Sequence, residues 1–458
     1  MIKALRLDSR LEPVPKTSPA AKNRFIYAHK KLHMLPTSLA GALTHPLLAA
    51  KLPRAGLDLI KGGSGQEDES IESFVNRRFG KGFSDDLISA MVHGIYAGDL
   101  SKLSVRSTFG ILYHLEKDYG SVILGMLMGG GAVETPWDRT LKENIMAKMP
   151  ELKTFVDKTS IYSFTDGLED LSKALEQDLV ESGRVNIRKE SWVEKLISIK
   201  DHDPIQANTV IAALPPSKLS HLLPVAPPEL IYNPSVTVAV VNLVYNADQA
   251  RLASPGFGYL IPRSENSAVR HRGLLGVVFD SCAIPTQDKG PSRDHTLKLT
   301  AMIGGHMFED VAAHHEYKSS PSQSSPSQSI TQHDSKAREK ELTSFFKEVA
   351  TDAVKRHLQI DASPEIVKVH IQHDCIPQYL VGHLQRMQTL DRSLRKEYDG
   401  LLAVTGAGYL GVSINDCIKN AREVAESVMS KLEEEDDGEA ALVGRQDAVT
   451  GLERAWFL

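Results

Sequence analysis

The run Gly406-Ala407-Gly408-Tyr409-Leu410-Gly411 has the spacing GxGxxG, follows a strand-like segment at 401–405, and opens the most regular amphipathic helix of the sequence. In that helix Ile414, Cys417, Ile418, Ala421, Val424, Ala425, Val428, Met429 and Leu432 form one apolar stripe. A strand that turns into a helix through glycines restricts the chain to architectures in which a sheet ends against a helix N-terminus. A complete dinucleotide fingerprint would also need a second parallel strand and an acidic ribose ligand downstream. Only the acidic run 433–437 and a short GEAALVG segment follow. Two readings of the turn stand. Backbone N–H groups at the helix N-terminus hold an anion or an electron-rich ring edge, or the turn is a tight connection without a ligand.

The rest of the chain alternates between two textures. Residues 1–20 read as a charged, proline-punctuated lead-in without a strand of its own, and 70–128 repeat apolar residues at three and four positions, which predicts several helices. Beyond Glu151 helices alternate with strands: 168–179 is amphipathic, 208–214 is a short apolar run stopped by Pro215 and Pro216, and 235–245 is rich in β-branched residues. Residues 274–279 and 297–303 read as partners of that strand, and 337–358 as a further helix. The unit SSPSQ, repeated at 319–323 and 324–328, cannot bury a core and predicts a disordered surface insertion.

Composition excludes several classes. Lys+Arg 53 against Asp+Glu 58 leaves a net charge of -5 with no basic block to track phosphates, so nucleic acid is not expected as a partner. The three cysteines, Cys282, Cys375 and Cys417, are too far apart for CxxC chemistry and too few for a disulfide framework. The longest uncharged apolar stretch, 120–133, is shorter than the roughly 20 residues that span a bilayer. His306, His314 and His315 lack metal-ligand spacing, no GxSxG occurs, and Gly62, Gly63 and Gly65 lack the Lys-Ser/Thr of a phosphate loop and read as surface loop.

Four blocks together resemble protoporphyrinogen oxidases, the flavin-dependent enzymes of the penultimate step of haem synthesis, related to monoamine oxidase. They are Ala21-Lys22-Asn23-Arg24-Phe25-Ile26-Tyr27 with Leu35-Pro36, His93-Gly94-Ile95-Tyr96-Ala97-Gly98-Asp99 with 103–107, Cys375-Ile376-Pro377-Gln378-Tyr379, and 406–418. The resemblance covers nearly the whole chain in the family's order. It implies an α+β / α/β, FAD-linked amine-oxidase-like (p-hydroxybenzoate hydroxylase-like) fold. Its FAD-binding domain would comprise 1–20, 138–225 and 366–435, its helical membrane-facing domain 21–137, and its mixed-sheet substrate domain 226–365 with the insertion at 317–338; 436–458 would be a tail. The family's own first strand–GxGxxG–helix precedes the segment that matches the start of this sequence. The FAD domain is therefore expected to be incomplete, with an unpaired edge beside 401–405, weak FAD retention and little oxidase activity.

The same resemblance assigns the turn Gly406 and Gly411, with Val412, Ser413 and Ile414, to the isoalloxazine of FAD, and Val193, in a strand after Trp192, to the adenine. It assigns Arg24 to a propionate of protoporphyrinogen IX, Leu260, Val278 and Met302 to the walls of its macrocycle, and Gly94 and Gly98 to its reacting edge. A flat, apolar, dianionic substrate calls for such aliphatic walls and one guanidinium, and Arg24 is expected to point into the largest apolar cavity beside them. The implied reaction is six-electron, oxygen-dependent oxidation to protoporphyrin IX, with no catalytic base and no metal. The alternatives are a truncated, weakly active or non-catalytic porphyrin-binding remnant, or another flavin amine oxidase, whose cationic substrate would not call for Arg24. Peripheral attachment to the mitochondrial inner membrane through Leu35, Leu39, Leu43, Leu47, Leu48 and Leu52, and a homodimer, are further expectations of the resemblance.

Overall fold

A computed structural model describes residues 1–131, 136–197, 205–265, 272–288, 295–319, 332–436 and 449–456. Its strands are β1 (Leu11–Pro15), β2 (Arg24–Ala28), β3 (Lys31–Met34), β4 (Thr159–Phe164), β5 (Val210–Ala212), β6 (Ser235–Asn246), β7 (Gly258–Leu260), β8 (Leu274–Val278), β9 (Thr296–Gly305), β10 (Ile366–Pro377) and β11 (Leu402–Val404). Seven of them form one mixed sheet in the order β10-β6-β9-β8-β7-β2-β3. Only the β2–β7 pair in it is parallel. Two small sheets accompany it, antiparallel β1-β4 and parallel β11-β5.

Alternation decides which face of the large sheet is core. Ala239, Val241, Leu243 and Tyr245 of β6 and Leu297, Leu299, Ala301 and Ile303 of β9 point one way and are buried. They pack against Phe346, Val349 and Val354 of helix α5 (Gln332–Leu358). The intervening residues lie on the opposite face, where Val238 is buried against Ala97 and Ile26 against Ala90 while Met302 stays 37% exposed.

Helices α1 (Ile71–Arg78), α2 (Ser89–Tyr96), α3 (Gly110–Tyr119) and α4 (Val122–Leu127) build the helical region with their own core of Ile71, Phe74, Val92 and Leu115. Helix α6 (His383–Tyr398) precedes β11, and α7 (Ile414–Asp436) follows the glycine turn. No helix among the described residues is long and apolar enough to cross a membrane, and no group of three or more His, Cys, Asp or Glu among them could hold a metal.

The structure corrects several expectations. The lead-in does contain a strand, because β1 gains its partner only from β4, some 150 residues downstream. Residues 24–34 lie in the seven-stranded sheet and not in the helical region, and β10 lies there as well, so the sheet extends beyond 226–365 at both edges. The edge of β11 away from β5 is covered: the Val404 N–H donates to the Thr450 carbonyl at 2.8 Å. Part of the expected tail is thus packed structure, with Thr450, Leu452 and Ala455 fully buried. Residues 320–331, which hold most of the repeated SSPSQ, and 437–448 lie outside the described residues.

Candidate active site

The glycine turn is built by close approach. A Cβ on Gly408 would lie 2.3 Å from Pro216 Cδ, and one on Gly411, whose φ is +142°, would lie 2.3 Å from Asp416 Cβ. Beside Gly406, φ +112°, the space is open. Immediately before it stands the buried Thr405, whose Oγ1 has no hydrogen-bond partner. Ser413 caps α7: its Oγ accepts from the Asp416 N–H at 3.1 Å and donates to Asp416 Oδ2 at 2.6 Å. A carboxylate in the first turn of a helix is stabilised by the unpaired amides there.

Tyr379 pins the turn from β10's side. Its hydroxyl donates to the Ala407 carbonyl at 2.6 Å and accepts from the Gly411 N–H at 2.7 Å. Its ring stacks on His383 with centroids 3.9 Å apart. His383 Nε2 donates to the Tyr409 carbonyl at 2.5 Å and Nδ1 lies 3.1 Å from Asn233 Nδ2, an arrangement that the neutral Nε2–H imidazole satisfies on both sides. Gln378 ties the same strand to α2, donating to the Tyr96 carbonyl at 2.9 Å, and a Cβ on Gly98 would lie 2.4 Å from its Oε1. The sequence contained Gln378 and Tyr379 in a family block without roles; only a tyrosine next to a β-strand end and a distant glycine turn hinted at them.

Between these elements lies a cavity of about 500 Å³, within the usual range for small-molecule sites. Ile95 and Tyr96, Cys375 to Pro377, Tyr379, and Gly411 to Ser413 line it. Its charged groups are Arg106, Arg454 and Asp416. Two guanidiniums against one carboxylate that is already engaged with Ser413 make the cavity suited to a flat ligand with an anionic group.

The large sheet contributes its second face. Register places Val240, Met302, Gly276, Leu260 and Ile26 in one row and Asn242, Thr300, Val278, Gly258 and Arg24 in the next. Arg24, Leu260, Val278 and Met302 therefore share one face, although they come from four strands. Met302 is 37% exposed there. Helix α2 joins face and cavity: a Cβ on Gly94 would lie 2.8 Å from Leu260 Cδ2, while the next residue, Ile95, lines the cavity.

Not every expected residue arrives. Gly411, Val412 and Ser413 line the cavity, with Gly406 and Ile414 at the two ends of the turn and outside the lining. Arg24 does not point into this cavity; it is exposed, with its guanidinium 6.0 Å from the centre of the Phe257 ring. Val193 is in no strand and is 57% exposed.

Two buried imidazoles set an acid limit on this framework. Burial lowers His93, stacked on His306, to about 4 and His383 to about 3. Unfolded imidazoles titrate near about 6.5, so between pH 6.5 and 4 the unfolded chain binds protons that the folded chain refuses. Stability from these groups is full above pH 6.5 and falls with pH through that window, by about 3 kcal/mol for His93 alone. Asp280, raised by burial to about 6, acts in the opposite direction by a smaller amount than the two imidazoles together. The urea midpoint is expected to drop steeply between pH 6.5 and 4.5, and His93→Asn to flatten that drop; a slope unchanged in the variant would refute the assignment.

Known proteins resemble this chain over most of its length. Residues 1–429 match the family described as flavin containing amine oxidoreductase. The chain is 34% identical to the protoporphyrinogen oxidase of Homo sapiens over 444 residues, covering 94% of this chain and 83% of that protein. It is 31% identical to the protoporphyrinogen oxidase of Schizosaccharomyces pombe with the same coverage of each, 94% and 83%. A crystal structure from Exiguobacterium sp. 255-15 shares the fold with a TM-score of 0.66 at 20% identity, covering 94% of this chain and 84% of that one.

Proposed function

Because the chain belongs to the flavin-containing amine oxidoreductase family, we propose that it is a protoporphyrinogen oxidase that uses FAD to convert protoporphyrinogen IX to protoporphyrin IX. The observation that carries this reading is that Arg24, Leu260, Val278 and Met302, from four strands, share one face of the large sheet, which helix α2 links to the glycine-turn cavity through Gly94 and Ile95. FAD, when bound, supplies the acceptor for hydride leaving a meso carbon of the substrate. The open space at Gly406 and the unpartnered Thr405 hydroxyl, at the end of the turn whose Gly411, Val412 and Ser413 line the cavity, fit such a group.

The chain's residues do the positioning. Leu260, Val278 and Met302 present a flat apolar wall, and the lack of a side chain at Gly276, between Leu260 and Met302 in register, keeps it level. Gly94 lets α2 approach that wall, and Tyr379 holds the turn against the cavity. Arg24, in the row next to Leu260, would bind a propionate at the rim by a charge-assisted hydrogen bond worth about 1.5–3 kcal/mol. Arg24→Ala is expected to raise the KM for protoporphyrinogen roughly ten- to a hundred-fold; unchanged KM and kcat would remove Arg24 from the site.

Oxygen as the terminal electron acceptor, a homodimer and the mitochondrial inner membrane are finer parts of the same proposal. Membrane-surface attachment finds support in Leu57, Leu59 and Ile60, which are exposed together with Leu124, Met126, Leu127 and Met128. Asp58 joins the two groups by accepting from Ser121 Oγ and the Ile123 N–H at the start of α4. Of the leucines expected at the membrane, Leu43 is exposed and Leu47 and Leu48 are buried, which shifts the apolar surface toward 57–60 and 124–128. Ile60→Glu with Leu127→Glu is expected to abolish co-sedimentation with anionic liposomes; sedimentation equal to the parent chain would exclude this surface.

The reaction itself is tested with the purified chain, FAD and air, following porphyrin fluorescence with protoporphyrinogen IX and, in parallel, the tetracarboxylate coproporphyrinogen. Faster oxidation of protoporphyrinogen is expected. No enzymatic conversion, or preference for the tetracarboxylate, would overturn the proposal.

A further inference from the structure

Residues 449–456 do more than close the edge of β11. Gly451, φ +79°, lies so near that strand that a Cβ would be 2.1 Å from the Val404 carbonyl oxygen. The segment is anchored to α6 by three side chains. Gln388 Nε2 donates to the Ala455 carbonyl at 2.9 Å, Asp391 accepts from Trp456 Nε1 at 2.9 Å and from the Thr450 hydroxyl, and Arg395 pairs with Glu453 at 3.2 Å. Leu452 and Ala455 meanwhile enter the core formed by Leu390, Leu394 and Val404. This anchoring holds Arg454 on the other side of the segment, where it lines the glycine-turn cavity with Gly411, Ser413 and Asp416.

Arg454 is poorly satisfied there. Its side chain is 14% exposed and its Nε is buried without a hydrogen-bond partner. Among the described residues its terminal nitrogens reach Asn420 Oδ1 at 3.3 Å and the Asp138 carboxylate at 3.7 Å; Asp138 is already paired closely with Lys419, and the partly buried Glu423 contributes its charge without a hydrogen bond to the guanidinium. An enclosed guanidinium with donors to spare needs an acceptor. We propose that residues 449–456 form a wall of the flavin site and that Arg454 binds an anionic group of the flavin nucleotide. This deepens the reading of the cavity as the FAD site and rests on it. Two groups share that chemistry, a phosphate of the nucleotide and the ring that becomes negative on reduction.

The test uses the full chain with FAD, measuring FAD affinity by flavin fluorescence quenching and the midpoint potential by dye-coupled reduction. Arg454→Met is compared with Arg454→Lys and with Arg392→Met, which removes the guanidinium over Trp456 outside the cavity. Contact with a phosphate predicts at least ten-fold weaker binding of oxidised FAD in Arg454→Met, partial rescue by Arg454→Lys, and a smaller dependence of affinity on salt. Contact with the ring predicts nearly unchanged affinity for oxidised FAD and at least a ten-fold lower preference for the reduced form, a potential lower by about 30 mV for a two-electron couple. Arg392→Met should match the parent in both. If Arg454→Met does not fold, Arg454→Gln is read in the same way. A parent chain that binds FAD while the Arg454 variants match it in affinity, salt dependence and potential overturns this inference alone. A parent chain with no affinity for FAD overturns the assignment of the cavity and the inference with it.

Discussion

Gly411→Ala is expected to lower FAD retention at least a hundred-fold. At φ +142° a side chain is strained wherever it points, at about 1–3 kcal/mol. Here the new methyl would also meet Asp416 Cβ at 2.3 Å. Asp416 cannot swing aside cheaply, since its carboxylate is held by Ser413 and its backbone belongs to the first turn of α7. The turn must move instead, and the Gly411 N–H then leaves the Tyr379 hydroxyl. Crowding of this kind adds about 1–3 kcal/mol, and the sum falls on the few residues that line the cavity. Tyr379→Phe removes both hydrogen bonds without new bulk, and a reduction nearer ten-fold is expected. Flavin content after gel filtration, with circular dichroism to confirm folding, measures both; stoichiometric FAD in folded Gly411→Ala would show that the turn is not part of the cofactor site.

Asp58→Ala should cost the helical region about 3–5 kcal/mol. Arg78 and Asp58 are both fully buried, and Arg78 NH1 donates to Asp58 Oδ1 at 3.0 Å. Glu116 accepts from Arg78 and from Arg77 NH1, the latter at 2.6 Å. Burial alone would raise the Glu116 carboxyl, yet the hydrogen bonds of Arg77 and Arg78 hold it below its ordinary range. Removing Asp58 leaves part of a buried guanidinium uncompensated and frees the Ser121 hydroxyl and the Ile123 N–H at the start of α4. The double replacement Arg78→Met with Asp58→Leu removes both charges, and its loss should be smaller than that of the single variant. Urea unfolding of both variants measures the difference; a loss below about 1 kcal/mol for Asp58→Ala would mean that the network carries no stability. Because Asp58 lies beneath the exposed Leu57, Leu59 and Ile60, the single variant should also loosen the surface proposed to meet the membrane.

What could be read before any coordinates were known was local. The glycine turn and α7 follow from GxGxxG and a 3.6-residue stripe, and β6 from its β-branched residues, because turn chemistry and periodicity act within a few residues. The order of the four family blocks carried the family and its flavin; the candidate wall residues Leu260, Val278 and Met302 share one sheet face. Tertiary structure decided everything that depends on a distant partner. Arg24 reached that face because β2 pairs in parallel with β7 more than 200 residues away, and β10 joined the opposite edge through β6. The buried states of Leu47 and Leu48, against the exposure of Ile60 and Leu127, were set by which surfaces found cover. Residues 449–456 show the limit most directly. Their apolar residues are too few for a periodic signal, and they are structured only because the open edge of β11 and the flank of α6 offer hydrogen bonds and a core that this segment satisfies.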